Sequence, residues 1–273
     1  MFDPAKCVQH MQGTGQDVRT GVLSFHGMSL WPLGHVDQGL ARACEVIALS
    51  RTFNHPMSLS FAFHHGVWTM LCARLWEEAL ALAEEGLRLA NEQGLALWMA
   101  SDTAHVGACL MNLGKLEEGL KKLQAGFEGF AATGGRCAIP LYLTMLGEGH
   151  MRAGRFDQAL EWIERSFGWA AEHDGQNHVL VETHRIKVEI LLARNPTDAS
   201  AAEASFTEAI RIAQSQQARS WELRALMSLA RLRKSQSRSA EAREPLQQAF
   251  AWFTEGVDTP DLMDARQLLA ELS

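Results

Sequence analysis

Arg74-Leu75-Trp76-Glu77-Glu78-Ala79-Leu80 recurs forty residues on as Gly114-Lys115-Leu116-Glu117-Glu118-Gly119-Leu120, and again as Gly154-Arg155-Phe156-Asp157-Gln158-Ala159-Leu160. Upstream, Gly34-His35-Val36-Asp37-Gln38-Gly39-Leu40 completes a set whose last leucines stand at 40, 80, 120 and 160. A fixed period of this length marks a stacked repeat array, in which each unit buries its apolar face on its neighbours. Each copy reads as a turn followed by a helix start. The leading glycine suits the positive φ at which a preceding helix ends. The acids suit the positive end of the next helix, and the large apolar residue anchors that helix inward. The small residue at 39, 79, 119 or 159 lets a neighbouring helix approach. Two looser copies follow, Phe206-Thr207-Glu208-Ala209-Ile210 and the run from Ser237 to Ala242-Arg243. The fifth is displaced by ten residues, and Asn195-Pro196-Thr197-Asp198 predicts a longer turn there.

A second register fixes how the helices pair. Twelve residues before the small residues stand Gly27, Val67, Gly107, Gly147 and, in the last copy, Ala230. Four of these five are small, as expected where the two helices of a hairpin touch. Helical glycine costs about 1 kcal/mol relative to alanine, so its recurrence points to packing. Segments 77–93 and 180–193 carry apolar residues at three- to four-residue spacing without proline, and no stretch alternates like a strand. The expected fold is all-α: an α-α superhelix of about six helix hairpins with a period of about 40. Residues 1–273 form one domain on this reading, with an irregular lead-in over 1–16, repeats over 17–257 and a capping helix over 258–272.

A turn glycine, a large apolar residue, then alanine-leucine, with a small residue twelve positions earlier, resembles the tetratricopeptide (TPR) repeat. More specifically, the chain resembles the C-terminal helical-repeat region of bacterial signalling proteins that join an adenylate/guanylate cyclase domain and an AAA/STAND-type ATPase to such repeats. The matching pieces are Gly15-Gln16-Asp17 with Leu30-Trp31-Pro32-Leu33-Gly34, Ala90-Asn91-Glu92-Gln93-Gly94, Ser220-Trp221-Glu222-Leu223-Arg224-Ala225, and the closing run from Trp252 to Leu262. The chain departs from that pattern at Pro32, where an apolar residue is usual, and at Val188, where a small one is common. Pro32 is expected to shorten its helix. The resemblance implies a non-catalytic interaction and regulatory module, a sensor or scaffold, whose partner is a protein or peptide such as a cyclase/ATPase module. A small effector held in an enclosed concave pocket is the alternative. Neither cyclase nor ATPase sequence is present, so neither activity is implied.

Composition agrees with a globular domain. At 47% apolar and 21% charged residues, the chain is neither a disordered tail nor a membrane span. A net charge of −7 argues against nucleic acid as partner. Five cysteines (Cys7, Cys44, Cys72, Cys109, Cys137), an odd number without a C-x-x-C pair, point to a reducing, cytoplasmic setting. The Gly107–Gly114-Lys115 spacing is wrong for a phosphate loop, and Leu116 stands where Ser or Thr is needed. His178, Glu182 and His184 are too few for a zinc site. No catalytic residue, cofactor or metal is expected.

Residues 211–243 hold eight basic against two acidic side chains. A solvated face, or one meeting an acidic neighbour, explains this better than nucleic acid, since Trp221 is the sole aromatic among the charges. In the TPR fold the first helix of each hairpin lines the concave side. The repeat register therefore aligns rows headed by Ser24, Met28, Trp31 and Cys72, which are largely apolar with polar ends. These rows offer His64, Trp68, Met111, Asn112, Glu148, Met151 and Arg152 as the candidate binding surface. Trp68 and Met111 are expected as walls, and His64, Asn112 and Arg152 as orienting groups.

Overall fold

The computed structural model describes residues 15, 17–173, 179–195 and 199–273, and only the backbone of 199–201. The expected lead-in therefore lies almost wholly outside the described residues, as does most of the Asn195–Asp198 turn. Among the described residues, thirteen helices run in hairpin order: α1 (Val18–Leu30) and α2 (Val36–Arg51); α3 (Pro56–Cys72) and α4 (Trp76–Gln93); α5 (Ala96–Asn112) and α6 (Leu116–Ala132). Then come α7 (Ile139–Arg152) and α8 (Phe156–Glu172); α9 (Leu180–Arg194) and α10 (Ala199–Ser215); α11 (Arg219–Ser235) and α12 (Ser239–Ala251); and a final α13 (Pro260–Glu271). No strand occurs among the described residues. The all-α repeat architecture is as the sequence predicts.

The repeat motif acts where its chemistry directs. Val36, Trp76, Leu116 and Phe156 are the first residues of α2, α4, α6 and α8, followed within one turn by Asp37, Glu77 and Glu78, Glu117 and Glu118, and Asp157. The residue two before each start has positive φ: +92° at Gly34, +62° at Arg74, +88° at Gly114 and +72° at Gly154. Arg74 adopts this left-handed conformation with a Cβ, which costs what glycine avoids. The other turns share a second row at the same period, Asn54, Gly94 and Gly134, all with positive φ. α1 ends at Leu30, just ahead of Trp31-Pro32. The fifth copy departs from expectation. Phe206 lies in the middle of α10, because the alanine-rich run before it has no breaker and the helix begins at Ala199. Ala209 is nevertheless fully buried, as its register requires.

Two compact units make up the chain. Unit 1 comprises the residues up to Trp31 together with His35–Gly135 (α1–α6); unit 2 comprises Pro32–Gly34 together with Arg136–Ser273 (α7–α13). In unit 1, α5 and α6 cross with backbones in direct contact: a Cβ on Gly119 would lie 2.3 Å from the Met111 amide nitrogen, and one on Gly107 would lie 2.3 Å from that of Leu123. Gly107 is thus a crossing residue and has no part in a phosphate loop. In unit 2 the equivalent Gly147 meets the side chain of Ile163, 2.8 Å from a built Cβ. The last hairpin is closed by α13, which buries Leu262, Leu268 and Leu269, with Leu272 beyond it, against Leu223, Met227 and Leu246. An end cap of this kind keeps a repeat array from exposing its terminal apolar face. No described helix is long and apolar enough to cross a membrane.

Candidate functional site

The forty-residue register brings polar groups together on the first helices of the hairpins, differently in each unit. In unit 1 they collect where α3 faces α5. His64 and His105 stack at 4.9 Å between ring centroids, His65 lies 4.8 Å from His64, and Phe61 stacks on His65 at 4.1 Å. His64 Nδ1 is 2.5 Å from Ser101 Oγ. Asp102 is fully buried, and neither of its carboxyl oxygens has a hydrogen-bond partner. The room it occupies exists because residue 86 is glycine, where a built Cβ would stand 2.7 Å from Asp102 Oδ2.

Burial decides the charge state of this cluster, because an apolar interior disfavours ions. It pushes the Asp102 carboxyl well above its ordinary range. It pulls His65 down to about 4, against the opposing hydrogen bond to the Phe61 carbonyl. Burial, reinforced by the neighbouring His65, takes His105 down to about 3. His64 is lowered as well, first by burial and then by His65 and His105. The 3.8 Å approach of His105 Nδ1 to Asp102 Oδ1 therefore joins two groups that burial drives toward their neutral forms.

Unit 2 satisfies its buried polar groups with charge. Arg185 on α9 donates from Nε and Nη2 to the two carboxylate oxygens of Glu182, each at 2.7 Å, and from Nη1 to Glu189 at 2.6 Å. Ser228 on α11 donates to Glu189 at 2.7 Å. Arg224 bonds Asp261 at the start of α13 through Nε at 2.8 Å, approaches Glu182 at 3.6 Å, and lies over the Trp221 ring. Burial raises Glu182, but Arg185 and Arg224 together outweigh it and hold the carboxyl below its ordinary value. Glu148 on α7 is raised, with burial dominant over the pull of Arg185.

Beyond this network, two hollows open along α11. One, about 300 Å³, lies between α9 and α11 over Phe206 of α10; the other, about 510 Å³, lies between α11 and α13. Arg231 and Ser235 border both. Such volumes lie within or just at the edge of the range of small-ligand pockets, roughly 300–1,000 Å³.

The sequence-predicted surface divides between the units. His64, Trp68 and Met111 are 2%, 5% and 0% exposed, so a ligand does not reach them without movement of the helices. Met111 is buried because its backbone sits in the α5–α6 crossing against Gly119. Asn112 is half-buried and its amide donates to Ala108 within its own helix. In unit 2, Glu148 joins the ion network, Met151 packs beside Ile163, Ile186 and Ile190, and Arg152 is exposed. The row reading missed Asp102, His105, Arg185 and Arg224. A signal was available: His65, His105 and Arg185 occupy one register, at forty- and eighty-residue steps. Among the described residues, no three His, Cys, Asp or Glu side chains are placed to hold a metal, and His178 lies outside them. Cys44, Cys72, Cys109 and Cys137 are free thiols; Cys7 lies outside the described residues.

No protein-family model matches the chain, and no curated protein matches it. Solved structures do. A Rap protein complexed with competence and sporulation factor superposes with a TM-score of 0.63 at 16% identity, covering 93% of this chain and 66% of that one. NprR in complex with its cognate peptide NprX gives 0.64 at 12% identity, covering 92% and 71%. Aspartyl phosphate phosphatase F from Bacillus subtilis gives 0.59 at 12% identity, covering 92% and 59%. The chain thus spans under two thirds of the length of two of these three relatives. At such identities the likeness defines the fold, a tetratricopeptide-like helical repeat.

Proposed function

We propose that this chain is a non-catalytic, cytoplasmic regulatory module that binds a peptide or protein segment, acting as sensor or scaffold in a bacterial signalling system of the cyclase/ATPase type. The observation that carries this reading is the face shared by α9, α11 and α13. There, charged side chains are fixed in place by one another and two open hollows lie alongside. A prearranged polar wall next to vacant space binds an extended segment without first having to order itself. Two of the structural relatives were captured with a signalling factor or peptide bound, which supports a peptide as the ligand class. Of the sequence-predicted surface, Glu148 takes part in this reading through Arg185, Met151 and Arg152 border neither hollow, and His64, Trp68, Met111 and Asn112 support the fold of unit 1.

The test is selection of a random peptide display library on the immobilised chain, followed by calorimetry of synthesised binders. Convergent sequences with micromolar or tighter affinity, weakened at least tenfold by Glu189→Lys, are expected. Absence of any convergent binder would overturn the reading. The second reading, a small-molecule effector, draws on the 510 Å³ hollow. A melting-temperature rise with a metabolite panel, in the absence of peptide binding, would favour it.

A further inference from the structure

The basic stretch 211–243 is mostly spoken for. Arg211 pairs with Glu208, Arg219 with Glu222, Arg224 with Asp261, Arg233 and Arg238 with Glu203, and Lys234 with Glu271. Of its eight basic side chains, Arg231 and Arg243 make no hydrogen bond or ion pair with the described residues. Arg243 borders neither hollow. Arg231 borders both.

The carboxylates around Arg231 are already engaged. Glu271 accepts from Lys234 at 2.7 Å and from Gln267 at 3.0 Å. Glu189 accepts from Arg185 and Ser228. Asp264 has a partner of its own. Among the described residues, Arg231 is thus the cation of the two hollows that makes no hydrogen bond or ion pair, acting on Glu271 only through space, and it stands beside an apolar floor of Leu192, Phe206 and Leu232. A guanidinium presents a planar fork of donors that matches a carboxylate with two parallel bonds.

We propose that Arg231 is the carboxylate-binding subsite of the groove, seating an acidic group of a bound peptide while a neighbouring apolar side chain enters the hollow over Phe206. This rests on the peptide-binding reading above. The carboxylate can be a peptide C-terminus or an Asp or Glu side chain.

Two random heptapeptide libraries separate these sources, one displayed with a free C-terminus and one tethered through it. Binders from each are synthesised with fluorescent labels and titrated by anisotropy against wild type, Arg231→Gln, Arg231→Lys and Arg243→Gln. Melting temperatures confirm that each variant is folded. The expected result is binders that need a carboxylate, lose at least tenfold with Arg231→Gln, recover only part of that loss with Arg231→Lys, which keeps the charge but not the fork, and ignore Arg243→Gln. Loss on amidation of the C-terminus identifies the terminal carboxylate. Loss on Asp→Asn or Glu→Gln within the peptide identifies the side chain. Peptides that bind wild type and Arg231→Gln equally overturn the subsite while leaving peptide binding intact. Failure of both libraries to yield any binder removes the subsite and the peptide reading together.

Discussion

Unit 1 and unit 2 are built on the same forty-residue register and solve the same problem in opposite ways. Where first helices face one another in unit 1, burial drives the polar side chains toward their neutral forms: three imidazoles and a carboxyl group. In unit 2 the corresponding helices bury guanidinium–carboxylate pairs that stay ionised because each charge is answered. Position 65 of the register and its successors are His, His and, two repeats further, Arg. The difference follows from helix approach. The close approach of α3, α4 and α5, with Gly86 against Asp102, buries these groups away from water, and groups in such a space are pushed toward their neutral forms. Unit 2 supplies its cations from within, and its ionic face borders open hollows. Function is therefore expected from unit 2, and stiffness from unit 1.

The largest effect that probes this contrast is steric. Gly119→Val places a branched side chain against the Met111 and Gly107 backbones, 2.3 and 2.7 Å from the new Cβ. Neither can yield without parting the helices, so a loss of about 4 kcal/mol or more, read by urea unfolding, is expected. Gly147→Ala in unit 2 meets the flexible end of Ile163 and should cost no more than about 1–3 kcal/mol. Equal costs would show that the α5–α6 crossing is not the tighter one.

Electrostatic disruption ranks next. Arg185→Ala removes the hydrogen-bonded cation of Glu182 and Glu189, leaving them Arg224 at 3.6 Å and Ser228 respectively, and takes from Glu148 the stronger of its two favourable charges. Removing one partner of a buried pair costs about 3–5 kcal/mol. The loss should shrink in acid, as the stranded carboxylates take up protons. A variant as stable as wild type at pH 7 would mean that the network is solvated in solution.

The units should also part company with pH. His65 and His105, at about 4 and about 3 in the fold, bind protons near 6.5 once unfolded. Their depressed values mean that the unfolded chain takes up protons first, so stability is lost as pH falls below about 6.5 toward those values. At pH 5 each accounts for about 2 kcal/mol, at about 1.36 kcal/mol per unit. In unit 2, Glu182 is depressed instead, so its contribution is kept above 4.5 and lost only as pH falls through its lower folded value. Hydrogen exchange at pH 5 should therefore find α3 and α5 opening more readily than at pH 7, with a smaller change in α9, where burial lowers the single His184, and α11 little changed. Uniform acceleration in both units would contradict the contrast.

Much of the fold was legible because its cause is local and repeated. Turn residues at 34, 114 and 154 must reach positive φ, and Gly27–Gly39 and Gly107–Gly119 must touch, so residue type alone marks them. The fifth helix start was misplaced because Phe206 mimics an anchor while an unbroken alanine-rich run extends the helix ahead of it. The site was harder to read. Trp68 and Met111 fall in rows that do face inward, yet whether such a row lines space or fills it depends on helix separation, which no single side chain encodes. Asp102 is intelligible only beside Gly86, sixteen residues away on another helix, and Arg224 only beside Asp261 on the cap, outside the repeat.

The smallest effect is the most discriminating. Burial holds the Asp102 carboxyl well above its ordinary range in the fold, so between the unfolded and folded values folding itself takes up a proton there. That uptake disfavours the folded state as pH rises, and it opposes the three histidines, which disfavour it as pH falls. Asp102→Asn keeps the shape and cannot titrate. Without the opposing group, unit 1 should lose stability more steeply between pH 6.5 and 5, by up to about 1.4 kcal/mol per pH unit, the value of one proton. Melting temperature against pH for wild type and variant gives the two slopes directly. If they coincide, Asp102 is ionised in the folded protein and His105 carries the matching charge, and the neutral core of unit 1 would be an ion pair after all, as in unit 2.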